Sequence, residues 1–303
     1  TTVAVGIYDL SRGREVASAA DWNAQAPYGA DVISRIQYAL ERTDGLQELS
    51  RRIREQVWRL ICAAMEGCGR PVEQVKRIVL AGNTAMQLLF AGRPVSGLAS
   101  APFRPDTLFR DPQADELYNI PVFYAPCVSG YVGGDITAGL LASGLWEQKG
   151  NYLFLDIGTN GEMALGGAEG FLCCAVASGP AFEGAGISCG MPGMRGAVSH
   201  VRYDRGFLYD VIGGGPARGL CGSGLLDLAA ELLRLGVIDG GGRLLPPEEA
   251  PAVLRRYLAR DGDGNGLFRL TEDVVLTAGD VRSLQLAKAA VAAGIRVLLE
   301  QRG

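Results

Sequence analysis

The stretch LDIGTNGE, residues 155–162, carries an apolar run directly into an acid, two glycines, a hydroxyl and an amide. Residues 152–156 read as a buried strand, and a second strand is expected from Glu162. The turn between them is predicted to hold Gly158 and Gly161 so that backbone N–H groups point outward together as an anion nest. Thr159 and Asn160 add neutral donors. Asp156, at the strand end, is placed to hold a hydrated Mg2+ through its waters. A nest beside a carboxylate suits a nucleotide's phosphates and metal. The plain alternative is a tight hairpin with a capping Asp. The motif is not a P-loop, because no Gly-Lys-Ser/Thr follows.

Around this motif the chain has 303 residues, enough for two domains of ordinary size. Its composition is globular, 48% hydrophobic and 20% charged, with 43 glycines scattered in short clusters between apolar runs. That scatter predicts many tight turns or loops that approach a ligand closely. The net charge is −4 and no Lys/Arg run exceeds the two residues of Arg51-Arg52, so nucleic acid is not an expected partner. No apolar run approaches the roughly 18 residues a membrane span needs. No signal peptide is read, and the chain starts within what reads as a strand. The seven cysteines are odd in number and scattered without C-x-x-C spacing, which predicts a reducing, cytoplasmic setting. Cys173 and Cys174 are adjacent in an expected strand, point to opposite faces, and are ill-placed to grip one ion.

The rest of the chain repeats one grammar. Strands are predicted over residues 3–10 and 15–20, helices over 30–41 and 46–66, a short strand over 77–81, another over 121–125, and a helix over 134–144. After a boundary near 144–151 the pattern restarts with strands over 152–156, 162–165 and 170–177. A Gly-rich section, 178–219, separates these from helices over 225–235 and 281–299. In the last helix Val281, Leu284, Leu286, Ala287, Val291, Ile295 and Leu298 fit a helical period. Two similar α/β domains, 1–146 and 147–303, facing a ligand cleft are therefore expected.

Several further positions invite chemistry. The Gly82-Asn83-Thr84 turn opens a helix, where an ordinary Asn/Thr N-cap is preferred to an anion site. Gly222-Ser223 opens the helix over 225–235, with Ser223 either an N-cap or a contact to nucleotide. Asp261, Asp263, Asn265, Gly266 and Glu272 fit an EF-hand loop. The segment after Glu272 reads as a strand rather than the required helix, so an acidic hairpin loop is preferred. His200, the one histidine, builds no convincing catalytic or metal site and reads as a surface or satisfied residue. Cys189 lies in a Gly-rich loop with nothing in sequence to lower its pKa.

LDIGTNGE resembles the second phosphate motif of the superfamily of actin, hexokinase and the heat-shock ATPases (ASKHA). Thr1-Thr2 resembles the tail of the first, whose Asp would precede this sequence. YGADVISRI (28–36), GNTAM (82–86), VGGDI (132–136), ASGPAFEGA (177–185), CGSGL (221–225) and DVRSLQLAK (280–288) together resemble the reductive activators of corrinoid proteins, in order and across nearly the whole chain. The resemblance implies two ribonuclease-H-like domains around an ATP/Mg2+ cleft. It implies a protein that uses ATP to return oxidised Co(II) corrinoid proteins to Co(I). Its partners would be a corrinoid (cobalamin-binding) protein or methyltransferase and an electron donor. In that family a 2Fe-2S cluster sits in an N-terminal domain that is absent from this sequence, as are the first phosphate Asp and a final Gly-Gly adenosine motif. ATP hydrolysis is thus expected of a longer protein rather than of this stretch alone.

The same resemblance implies site residues. Thr1, Thr2, Gly158, Thr159, Asn160, Gly161, Ser178, Gly179, Gly222 and Ser223 would contact nucleotide. Asp156 would hold Mg2+ through water. Asp135, at the start of its helix, would orient the attacking water, against the plain reading of an acid favoured there by the helix dipole. A homodimer is compatible with this reading. A small-molecule kinase of the same superfamily and a non-catalytic partner-binding module are the competing functions. The first predicts a base beside a substrate pocket, for which no signature is found.

Overall fold

A computed structural model describes residues 2–303. Thr1 lies outside the described residues, and with it one of the expected nucleotide contacts. The fold is mixed α/β and divides into two compact units: residues up to Phe154 with Ala164–Cys174, and Leu155–Met163 with Ala175–Gly303.

In the first unit β1 (Thr2–Asp9) and β2 (Arg14–Trp22) form an antiparallel hairpin. Val3, Val5 and Ile7 alternate onto one face of β1 and pack on a core with Ile53, Val57 and Ile61. Those three belong to α2 (Gly45–Gly67), which follows α1 (Val32–Glu41). Asp31 starts α1 with a capping box, accepting from Ser34 N–H at 2.8 Å. Next come β3 (Ile78–Leu80), α3 (Thr84–Phe90), β4 (Glu116–Leu117), β5 (Ile120–Tyr124) and α4 (Gly134–Ser143). Strand β3 lies parallel to β5, and β4 pairs antiparallel on its other side. The loops entering α3 and α4 touch: a Cβ on Gly133 would sit 2.5 Å from the Gly82 carbonyl oxygen.

β6 (Tyr152–Ile157), β7 (Gly161–Gly167) and β8 (Gly170–Val176) form a sheet in that order. The expectation of a buried strand at 152–156 is corrected: β6 is exposed or half-buried along its length, while β7 is buried at every residue. The central strand of three has neighbours on both edges, and the apolar run of β6 lies on an outer one.

The second unit continues through β9 (Ala197–Tyr203), β10 (Phe207–Val211), β11 (Gly219–Leu220) and α5 (Gly222–Arg234). It closes with β12 (Leu258–Arg260), β13 (Gly266–Arg269), β14 (Val275–Thr277) and α6 (Ala278–Arg302). The Gly-rich section, for which no strand is predicted, holds β9 and β10 and runs into β11, ordered β10-β9-β11. Leu225, Leu228 and Leu232 of α5 pack with Val198, Val201, Phe268 and Leu276 in the main core. On α6 the buried face is Val281, Ala287, Val291, Gly294 and Leu298. Leu286, placed on that face by periodicity, is exposed, and Gly294 fills the spacing instead. The acidic loop is a hairpin turn, with Arg260 paired to Gly266 and Asp261 accepting from Asp263 and Asn265 N–H groups.

Gly224 shows how closely α5 lies on β9. A Cβ there would sit 2.1 Å from the Val198 carbonyl oxygen. Gly224→Ala is therefore expected to destabilise the fold by roughly 1–3 kcal/mol, read as a lower urea midpoint with an unchanged m-value.

Candidate functional site: the β6–β7 turn

The turn Gly158-Thr159-Asn160 connects β6 to the buried β7. Gly158 N–H donates to the Asn160 carbonyl at 2.9 Å, closing the turn on itself. The Ser178 hydroxyl donates to the Gly158 carbonyl at 2.9 Å, and Gly179 N–H donates to the Thr159 carbonyl at 3.0 Å. Ser178 and Gly179 lie one residue beyond the end of β8, so the segment leaving one strand ties down the turn entering another. Ser178 is buried, and Gly179 adopts φ 78°, the left-handed region glycine favours. Six of the residues singled out in the sequence, Gly158, Thr159, Asn160, Gly161, Ser178 and Gly179, are thereby brought together.

The nest expected of Gly158 and Gly161 is corrected. Neither glycine has positive φ, and Gly158 spends its N–H inside the turn. Their lack of a side chain serves proximity instead. A Cβ on Gly161 would meet Val176 Cγ2 at 3.0 Å, and one on Gly158 would meet Glu183 Oε1 at 3.1 Å. That carboxylate is the principal surprise: Thr159 N–H donates to Glu183 Oε1 at 3.1 Å. Glu183 ends a short 3-10 helix, Pro180–Glu183, and Gly184 behind it turns the chain with φ 80°. One donor of the turn, Thr159 N–H, thus meets an oxyanion, the carboxylate of the chain's own Glu183.

The other predicted residues lie elsewhere. Asp156 is exposed on β6, two residues before the turn. Asp135 is half-buried in the first turn of α4, where its carboxylate accepts from Ile136 N–H at 2.9 Å. Thr2 opens β1 and is exposed. Gly222 packs under the Phe182 carbonyl, 2.0 Å from where its Cβ would lie. Ser223 is not the N-cap of α5: Cys221 holds that place, and the Ser223 hydroxyl donates to the Ser199 carbonyl at 2.8 Å. Asn83 does cap α3, accepting from Ala85 N–H at 3.0 Å. His200 is exposed and lies 3.1 Å from Asp227.

Two residues that matter here were not singled out by sequence. Glu183 was one acid within a quoted motif, and nothing in its spacing tied it to Thr159. Asp280 is 2% exposed; it pairs with Thr277 in the capping box of α6 and also accepts from Ser188 N–H at 2.7 Å, tethering the Gly-rich loop. The capping box was legible as Thr-x-x-Asp, whereas the tether spans 92 positions. Among the described residues no group of three His, Cys, Asp or Glu side chains is arranged to hold a metal ion, and no helix is long and apolar enough to cross a membrane.

This mixed α/β fold, with its glycine-rich strand turn, is of the ASKHA class. Residues 150–303 match the family described as the C-terminal domain of RACo, the ASKHA domain, and residues 1–148 match the RACo middle region. The chain belongs to the RACo family. It is 33% identical over 320 aligned positions to the corrinoid activation enzyme RamQ of Eubacterium limosum, covering 100% of this chain and 54% of that protein. It is 27% identical over 206 positions to the Co(II) methylated amine-specific corrinoid protein reductase of Methanosarcina barkeri, covering 55% of this chain and 38% of that one. A solved structure, the reductive activator for corrinoid,iron-sulfur protein, superposes with a TM-score of 0.85 at 37% identity, over 99% of this chain and 50% of its own. The chain thus spans about half the length of RamQ and of the solved activator.

Ser178→Ala removes the hydroxyl that holds the Gly158 carbonyl. A loss of about 1 kcal/mol is expected, together with faster amide hydrogen exchange in the peptide containing Thr159. Unchanged exchange would show that the turn is held without Ser178.

Proposed function

We propose that this chain is the ATP-binding core of a reductive activator that returns corrinoid proteins from Co(II) to Co(I). The observation that carries the reading is the match along the entire chain to the corrinoid activation enzyme RamQ. The oxyanion-binding turn supports the nucleotide part of it. When bound, Mg2+ and ATP supply a hydrolysable phosphoanhydride, whose hydrolysis offsets a transfer of one electron to Co(II) that is unfavourable alone. A donor, an iron–sulfur cluster on the family resemblance, provides that electron.

The residue roles follow the same proposal. Asp156, exposed beside the turn, holds Mg2+ through its waters. Gly158, Thr159, Asn160 and Gly161 face the phosphates, with Ser178 and Gly179 keeping the turn in place. Thr1 and Thr2 contribute the corresponding first phosphate contact, and Gly222 and Ser223 approach the nucleotide from the head of α5. Asp135 orients the attacking water. Residues 1–146 and 147–303 form the two ribonuclease-H-like subdomains. The protein works in the cytoplasm with a corrinoid protein or methyltransferase, as a homodimer.

Calorimetry of full-length protein with Mg2+ and ATP tests the site. Asp156→Ala is expected to weaken binding roughly tenfold or more, about 1.4 kcal/mol per decade. Equal affinity in the variant would remove Asp156 from the site, and no binding by the unmodified protein would remove the nucleotide reading. The visible spectrum of a cobalamin-binding partner, followed from Co(II) to Co(I) with and without ATP, tests the activity. Phosphorylation of a metabolite instead would favour the kinase.

A further inference from the structure

The β6–β7 turn is occupied by an anion that belongs to the protein. Thr159 N–H is taken by Glu183 Oε1 at 3.1 Å. Gly158 leaves that carboxylate room, since Oε1 stands 3.1 Å from where a Cβ would project. The neighbouring carbonyls accept from the Ser178 hydroxyl and Gly179 N–H. Glu183, an acceptor only, satisfies one backbone donor. It reaches that donor from a single 3-10 turn bounded by two glycines with positive φ, Gly179 at 78° and Gly184 at 80°. The carboxylate is half-buried rather than locked in a core, and it has no ion-pair partner among the described residues.

We propose that Glu183 is a resident stand-in for phosphate: it keeps the turn ordered without nucleotide, gives up Thr159 N–H when a phosphate-bearing ligand arrives, and so sets the turn's affinity for phosphate. This rests on the nucleotide reading above. Two like charges do not share one donor, because a carboxylate within about 4 Å of a phosphate oxygen costs free energy in any protein dielectric. The ligand class is a polyphosphate ester. A neutral nucleoside does not meet this competition.

The test compares Glu183→Gln and Glu183→Ala in full-length protein. Glutamine keeps an acceptor for Thr159 N–H and removes the charge; alanine removes both. Calorimetry is run with Mg2+ and ATP and, separately, with adenosine. Glu183→Gln is expected to bind ATP about tenfold more tightly than the unmodified protein, with adenosine binding unchanged. Without ligand, hydrogen exchange of the peptide spanning 155–163 is expected to quicken in Glu183→Ala and to stay near the unmodified rate in Glu183→Gln. ATP bound equally by the unmodified protein and Glu183→Gln overturns the competition and leaves the nucleotide reading standing. Equal gains for ATP and adenosine overturn it too, since they report a general structural change. Exchange unaltered in Glu183→Ala overturns the ordering role. No ATP binding by any form overturns the nucleotide reading itself, and the displacement with it.

Discussion

Strand β7 is buried along all seven residues, Gly161–Gly167, and the site's geometry follows from that burial. A strand with no exposed residue must pair its backbone on both edges and pack on both faces. β6 and β8 supply the edges. Close packing requires small residues at the points of approach: Gly161 against Val176, and Gly294 of α6 against Met163. Residues larger than glycine at either point would push backbone and side chains apart, and the turn feeding β7 would move with them. The polar turn lies where it does because the strand after it cannot shift.

That turn then carries a donor problem. Three residues, Gly158, Thr159 and Asn160, reverse the chain, and only Gly158 N–H is satisfied within the turn. An amide left without a partner as solvent is excluded costs as much as a lost hydrogen bond. Glu183 meets Thr159 N–H with a carboxylate, the strongest acceptor a side chain offers. The turn thus meets its donor requirement with a carboxylate from its own chain, 24 positions away.

Much of the fold was legible locally. Asp31 with Ser34 and Thr277 with Asp280 announce helix starts by residue type, and the structure places capping boxes at both. The strand-turn-strand at 152–167 follows from an apolar run, a glycine turn and a second apolar run. The β9, β10 and β11 strands escape a local reading because they are short and polar residues interrupt their alternation, and the burial of β9 and β11 comes from α5 packing on them in the main core. Leu286 was misplaced because a helix of this length has more apolar positions than its neighbours can cover.

The sequence by itself determined the class of the protein: the order of its motifs, its alternating strands and helices, and the presence of a turn that presents donors. Each of these is written in neighbouring residues, where backbone preference and side-chain period act over a few positions. Tertiary structure decided which strand is central, that Gly158 and Gly161 serve close approach rather than a nest, and that Glu183 lies on Thr159. These are contacts between residues far apart in sequence, 24 positions for Thr159 and Glu183, or the outcome of which surfaces cover one another. No local preference encodes them, because the free energy that selects them is gained only when the whole unit packs.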